Sequence, residues 1–357
     1  MKKVNEVVSK NKPISEKAKV EIELQKLRDK QSGKQTAIAA LQQKVVALEG
    51  ELNTLVQYKD MTPQASEILA KVSAPGISES AAVVVWSDWH NEEEVRLGQV
   101  DGRNKYNLDI FHRRVSQLVH GTLAWLDIEA QKTSIKSLTI ALLGDAFTNN
   151  IHDDCALSCL LQPMDAAYNA QNHIIGGIDY LLEHTPRDLE ILVVCHPGNH
   201  TRTTKHQLIA NELGNSLETY MYYVLRDYYQ GNPRIKFQIA TGYHSFTTYF
   251  PGNEKGGFTV RWHHGHQINY QGGVGGITIP VNKAIAQWNK ARHADLDVFG
   301  HFHQEFDGGN FVCNGSLIGY NAYAVSIKAS FGIPAQVFFL INKKWNKKTM
   351  VAPIFVE

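Results

Sequence analysis

Residues 189–200 read Leu-Glu-Ile-Leu-Val-Val-Cys-His-Pro-Gly-Asn-His, a short apolar run that stops abruptly in imidazole, glycine and amide. A run of this length, β-branched in part and bounded by turn residues, predicts a buried strand over 189–195. His196, Asn199 and His200 then fall at its carboxyl end. The same transition recurs on both sides of it. Residues 81–86 lead into Ser87-Asp88-Trp89-His90, and 137–143 into Gly144-Asp145. Residues 258–262 lead into His263-His264-Gly265-His266, and 296–299 into Gly300-His301-Phe302-His303. Helical spacing is expected over 109–131, 164–183, 207–229 and 281–292, with closing strands at 311–313, 336–341 and 350–356. Strands alternating with helices of this length predict an α/β sheet. Open sheets of that kind place ligands beyond the carboxyl ends of their strands.

The residue types delivered to that edge suit one task. Carboxylate, imidazole and amide oxygen together favour Mn²⁺, Fe or Zn²⁺, whereas an all-oxygen set favours Mg²⁺ or Ca²⁺. A central carboxylate can bridge two ions ~3.5–4 Å apart, the spacing of paired-metal hydrolases. Two aspartates offset only part of the charge of two divalent ions, so the site keeps the positive excess an anionic phosphate needs. Each piece alone is weak, because an Asp-x-His dipeptide is common and the chain has 16 histidines. Five such signals in order, each closing a strand, carry the argument.

These blocks resemble the calcineurin-like metallophosphoesterase superfamily. Its pattern is Asp-x-His, Gly-Asp-x-x-Asp/Asn, Gly-Asn-His, a histidine after a strand, and Gly-His-x-His. Here the blocks read Asp88-Trp89-His90, Gly144-Asp145-Ala146-Phe147-Thr148-Asn149 (the asparagine one position later than that spacing), Gly198-Asn199-His200, His264-Gly265 and Gly300-His301-Phe302-His303, a match over about residues 80–320. The resemblance implies a β-sandwich of mixed sheets flanked by helices, with metals at the sheet ends. It implies that Asp88, His90, Asp145 and His303 hold one ion. Asp145 as bridge, with Asn199, His264 and His301, would hold the second. His200 would bind no metal and would stabilise the transition state or protonate the leaving oxygen. The ions expected are two divalent cations, Mn first, with Fe, Zn and Mg as alternatives.

Departures from the pattern are visible. Thr201 stands where the family usually has an acid that helps position the catalytic histidine. The Asp-Arg-Gly extension of Ser/Thr protein phosphatases is missing, which argues against that activity. His263 and His266 compete with His264 for the fourth block. The His-Gly dipeptide favours His264, His266 is next, and His263 alternates to the opposite face of a continuing strand. Arg202 and His152 are candidate substrate contacts, a guanidinium being able to clamp a phosphate. Gly272, Gly273, Gly275 and Gly276 lack the following Lys-Ser/Thr of a P-loop and read as a loop beside the metals. Tyr220, Tyr222, Tyr223, Tyr228 and Tyr229 follow helical spacing and read as core packing. The stretch Asn314-Gly315-Ser316-Leu317-Ile318-Gly319 is similar to bacteriophage-encoded metallophosphoesterases, often grouped with DNA-repair exonucleases.

Residues 1–57 have a different character. Leu24 and Leu27, Ile38 and Leu41, Val45 and Leu48, and Leu52 and Leu55 share one set of a and d positions, the period of a left-handed coiled coil. Gln31 and Lys34 fall on the same stripe, around Ser32-Gly33. One long self-associating helix, a hairpin folded at Ser32-Gly33, and a single amphipathic helix all fit. Residues 58–79, with Pro63, Pro75 and Gly76, read as a connector with a short helical pattern at 67–72. The catalytic domain is expected over 80–357.

The bulk figures exclude little else. A 43% hydrophobic, 20% charged chain of 357 residues with a formal charge of +1 has no global pull toward nucleic acid. Cys155, Cys159, Cys195 and Cys313 form no CxxC pair, so they read as small buried residues rather than a disulfide or zinc framework. The N-terminus shows no apolar secretion signal, and no apolar run reaches the ~18 residues of a membrane helix. A cytoplasmic location is expected, the host cytoplasm if the protein is phage-encoded. The expected function is a dinuclear, metal-dependent hydrolase of phosphodiester bonds in DNA, RNA or nucleotides, acting through a metal-bridging hydroxide. A phosphomonoesterase and a non-enzymatic oligomeric scaffold are the alternatives.

Overall fold

The structure is a computed structural model that describes residues 15–72, 78–270, 276–326 and 329–357. The chain divides into two compact units, the first ending at Ala74 and the second beginning at Pro75. The first is a single helix, α1 (Glu16–Val72). Its continuity through Ser32 and Gly33 excludes a hairpin there. The connector expected over 58–79 is helical as far as Val72. Pro63 removes one backbone donor without stopping the helix, and the helical pattern at 67–72 continues it.

In the second unit a six-stranded sheet has the order β11-β10-β1-β2-β3-β4. Its strands are β1 (Glu79–Trp86), β2 (Ser134–Leu142), β3 (Glu190–Cys195), β4 (Ile235–Ile239), β10 (Ala335–Asn342) and β11 (Lys347–Phe355). β1 to β4 run parallel, while β10 and β11 add antiparallel to the β1 edge. A five-stranded mixed sheet has the order β5-β6-β7-β9-β8. It comprises β5 (Ser245–Tyr249), β6 (Phe258–Trp262), β7 (Leu296–Phe299), β8 (Phe306–Asp307) and β9 (Phe311–Cys313), with β6, β7 and β9 parallel. The helices are α2 (Leu108–Ala130), α3 (Asp153–Ser158), α4 (Pro163–His184), α5 (Leu217–Tyr228), α6 (Thr278–Ala291) and α7 (Ala322–Ser326).

Strand β1 shows how the layers stack. Ala82, Val84 and Trp86 face a core shared with Phe111 and Leu118 of α2, Ile174 and Ile178 of α4, and Leu225 of α5. Ala81, Val83 and Val85 point the other way, into a core shared with Val260, Trp262 and Val298 of the second sheet. A strand buried on both faces reads as an unbroken apolar run, which is why 81–86 lacks polar alternation. Val281 and Ile285 of α6 cover the far side of the second sheet, against Phe299 and Phe311. Helices, sheet, sheet and helix therefore form four layers.

Three expectations change. The helix expected over 207–229 begins only at Leu217; residues 209–211 and 213–215 form single 3₁₀ turns. Backbone groups of the preceding stretch are engaged elsewhere: Thr203 N–H donates to Asn215 O, and Arg202 pairs with Ser216. The tyrosines of α5 and its C-cap also divide by face. Tyr222 and Tyr229 are buried, whereas Tyr220, Tyr223 and Tyr228 are exposed. Cys195 and Cys313 are buried, but Cys155 and Cys159 are only half-buried. Of the glycine-rich stretch, Gly272, Gly273 and Gly275 lie outside the described residues. No helix among the described residues is long and apolar enough to cross a membrane.

Candidate metal centre

The chain crosses from strand to loop at one edge of both sheets, and the turns there use an unusual backbone. Asp88, His90, Asp145, His301 and His303 all have φ between 47° and 69°, the left-handed region that non-glycine residues seldom occupy. Each such residue costs roughly 1–3 kcal/mol and persists only where its surroundings over-determine it. Two close approaches hold these turns together. A Cβ at Gly300 would collide with the Asp88 carboxylate, and one at Gly198 with that of Asp145. Only glycine lets those loops come so near the acids.

Two groups of candidate ligand atoms result, each with its atoms within 4.8 Å of one another: Asp88, His90 and His303, and Asp145, His264 and His301. In the first group His90 Nε2 lies 3.3 Å from His303 Nε2, which is 3.5 Å from Asp88 Oδ1. In the second, His264 Nε2 lies 2.9 Å from Asp145 Oδ2 and 3.1 Å from Asn199 Oδ1. His264 Nδ1 is 2.6 Å from the Leu143 carbonyl, an acceptor only, so that nitrogen carries the proton and Nε2 is turned inward. His90 is oriented similarly, with Nδ1 2.9 Å from Thr148 Oγ1. A histidine that ligates a metal is usually fixed in this way through its other nitrogen.

The neighbours of the fourth block take other roles. His266 Nε2 lies 2.6 Å from Glu212, and His263 is stacked on Phe299 and 3.5 Å from Asp297. Asp297 in turn receives both Nε and Nη2 of the buried Arg261.

Electrostatics matches a cation site. Burial works against charge on His264, yet the adjoining Asp145 carboxylate outweighs it and raises the imidazole to about 10. Burial alone would raise the Asp145 carboxyl, but His264 and then His200 hold it well below the carboxylate range. Burial, reinforced by neighbouring histidines, pushes His90 and His301 well down, so both stand neutral with a lone pair to donate. Buried acids beside inward-turned imidazoles are a donor set that divalent cations of the Mn, Fe or Zn kind fit. A proton on His264 stands where such an ion would take over.

His200 is fixed beside these groups through both its backbone and its ring. Its backbone N–H donates to Asp145 Oδ1 at 2.8 Å, and its Nδ1 lies 3.2 Å from the Thr148 carbonyl. Because the carbonyl accepts only, Nδ1 is protonated and Nε2 stays available. Its ring meets that of His90 edge-on at 5.0 Å and that of His152 at 6.3 Å, so His152 borders the site. Arg202 is half-buried, and its Nη1 donates to the Asn199 carbonyl at 2.5 Å, which ties the guanidinium to the loop of block three.

Sequence reasoning missed the residues that brace these loops. Glu218, fully buried in the first turn of α5, accepts from Ala146 N–H, Gly198 N–H and the Thr201 hydroxyl at 2.8–2.9 Å. One carboxylate thus spans the loops of blocks two and three, and Thr201 reaches an acid placed elsewhere in the chain. Glu92 accepts from the N–H groups of Thr148 and Asn149. Desolvation raises both Glu92 and Glu218 to about 7. Glu93 accepts from Thr148 Oγ1, the atom that orients His90, and from Asn321. Ser87 donates to Asp88 Oδ2 and accepts from Asn314, while Gln336 of β10 holds the Ser87 backbone. The adjacent Glu92-Glu93, two residues after His90, was the one visible signal.

No protein-family model matches this sequence, and no curated protein matches it.

Proposed function

We propose that the chain is a dinuclear metal-dependent phosphoesterase that hydrolyses phosphodiester bonds, in nucleic acid or a nucleotide. The observation that carries this reading is the pair of three-residue ligand groups set side by side, with the free Nε2 of His200 beside them. Asp88, His90 and His303 would hold one ion, and Asn199, His264 and His301 the other, with Asp145 shared. When bound, the ions would act as Lewis acids on water and on the phosphoryl oxygens.

The chain's own residues supply the rest. Thr148 O fixes the His200 ring so that Nε2 can give a proton to the departing oxygen, which avoids release of an unprotonated alkoxide. The Asp145 carboxylate accepts from the His200 N–H, so metal ligand and acid move as one unit. Arg202 and Asn149 secure the same loop, Asn149 through the carbonyls of His200 and Arg202. His152 borders the His200 side, and we assign it the substrate contact.

With Mn²⁺ the purified protein is expected to cleave bis-p-nitrophenyl phosphate, and Asp145→Ala or His264→Ala to reduce the rate at least about 100-fold. Activity surviving both substitutions would overturn the assignment. A higher rate on p-nitrophenyl phosphate than on the diester would make the protein a monoesterase.

A further inference from the structure

We propose that α1 pairs with the α1 of a second copy of this chain as a parallel, in-register, two-stranded coiled coil. The helix is continuous from Glu16 to Val72, about 86 Å at 1.5 Å per residue. Its apolar stripe is exposed from Val20 (57%) through Leu41 (63%) to Leu52 (62%). It also contains Gly33 and Gly50, each costing about 1 kcal/mol relative to alanine in an exposed helix interior. Helices of this kind draw their stability from packing of an apolar face rather than from propensity. The stripe therefore calls for a partner of its own length and period, and the chain itself provides one.

The residues on the stripe select two strands. With Leu24 at a, the a positions include Ile38 and Val45, and the d positions Leu27, Leu41 and Leu48. β-Branched a residues with leucine at d favour a parallel dimer over higher assemblies.

The polar positions of the seam select direction and register. In a parallel pair each g residue faces the e residue of the next heptad on the other helix. That sets Glu23 against Arg28 and Lys44 against Glu49, both attractive, Lys30 against the neutral Gln35, and Glu16 against Glu21, which repel. Antiparallel pairs centred on the stripe would instead set Gln31 and Lys34 against Leu41 and Ile38, or against Leu48 and Val45, which leaves both polar groups facing apolar side chains. Gln31 at a and Lys34 at d weaken the seam and fix its register, because any shift by a heptad buries them against leucine or isoleucine. In register they meet their own copies, and the long lysine stem lets its ammonium reach water. One shifted antiparallel register does match Gln31 to Lys34, but it sets Leu48 against Lys17 and leaves the end of the stripe without a partner.

The full-length protein tests this without reference to its activity. Light scattering is expected to give twice the 40.0 kDa of the chain. Leu41→Glu/Leu48→Glu should return the mass of one chain, with near-ultraviolet circular dichroism unchanged because all six tryptophans lie in the second unit. For direction, Leu48→Cys is made in a Cys155→Ser/Cys159→Ser background and oxidised with diamide. A covalent dimer is expected, since only the parallel register sets position 48 against itself. A wild-type mass of one chain, or of three or more, overturns the proposal, as does a double variant that stays dimeric. A dimer that fails to cross-link at position 48 overturns the parallel arrangement.

Discussion

At the scale of the residue, the centre is a set of strained positions held by buried acids. Five candidate ligand residues sit at positive φ, a conformation that a relaxed loop would leave. Glu218 opposes that by tying Ala146, next to Asp145, to Gly198 and Thr201, next to Asn199 and His200. Glu218→Ala removes the acceptor from three buried donors, and each buried unsatisfied donor costs about 1–3 kcal/mol. The variant is expected to lose roughly 3 kcal/mol or more of stability in urea unfolding and to retain less Mn²⁺ than the wild type. Glu218→Asp should recover part of both. Wild-type stability and metal content in Glu218→Ala would show that the loops hold their shape without it. Nothing in the neighbourhood of Glu218 marks it in the sequence, since an acid in the first turn of an amphipathic helix reads as an ordinary helix start. The candidate ligands were legible because each terminates an apolar run; their braces were not, because they come from helices and strands distant in the chain.

At the scale of the element, five parallel strands deliver side chains to one edge, and this much was readable from period and composition. The strands missed were β4, β5 and β8, which are short or only partly buried, so their apolar content is diluted. The late start of α5 was hidden for a different reason: its helical period is real, but the backbone before Leu217 is bonded to block three. Between β5 and α6 the structure packs a histidine that takes no part in the centre. His244 meets Trp288 at 4.5 Å and His263 at 5.6 Å. Burial lowers it to about 3, with His263, Arg261 and His196 adding to the effect and Asp297 opposing it. The folded value lies below the unfolded one, so the neutral form favours folding. That contribution is complete above pH 6.5 and fades as pH falls toward 3. The metal-free wild type should therefore lose more thermal stability between pH 7 and 4.5 than His244→Asn does. Parallel losses in the two proteins would show that His244 is not held neutral.

At the scale of the whole molecule, the chain joins a long exposed helix to a four-layered α/β unit. The heptad stripe was legible at once, and the structure removes the hairpin that the break at Gln31 and Lys34 left open. The extent of the helix was not legible, because Pro63 looks like an ending and is only an interruption. Both sheets converge on Asp145, whose carboxylate touches His264 and the backbone of His200 while its neighbour Ala146 is held by Glu218. The proposed function makes that residue the link between two ions. The direct measurement is metal per chain, by mass spectrometry of the full-length protein loaded with Mn²⁺ and desalted. The wild type is expected to hold about two ions and Asp145→Ala one or fewer. A wild-type content below one ion per chain, or an Asp145→Ala protein that still holds two, would contradict it.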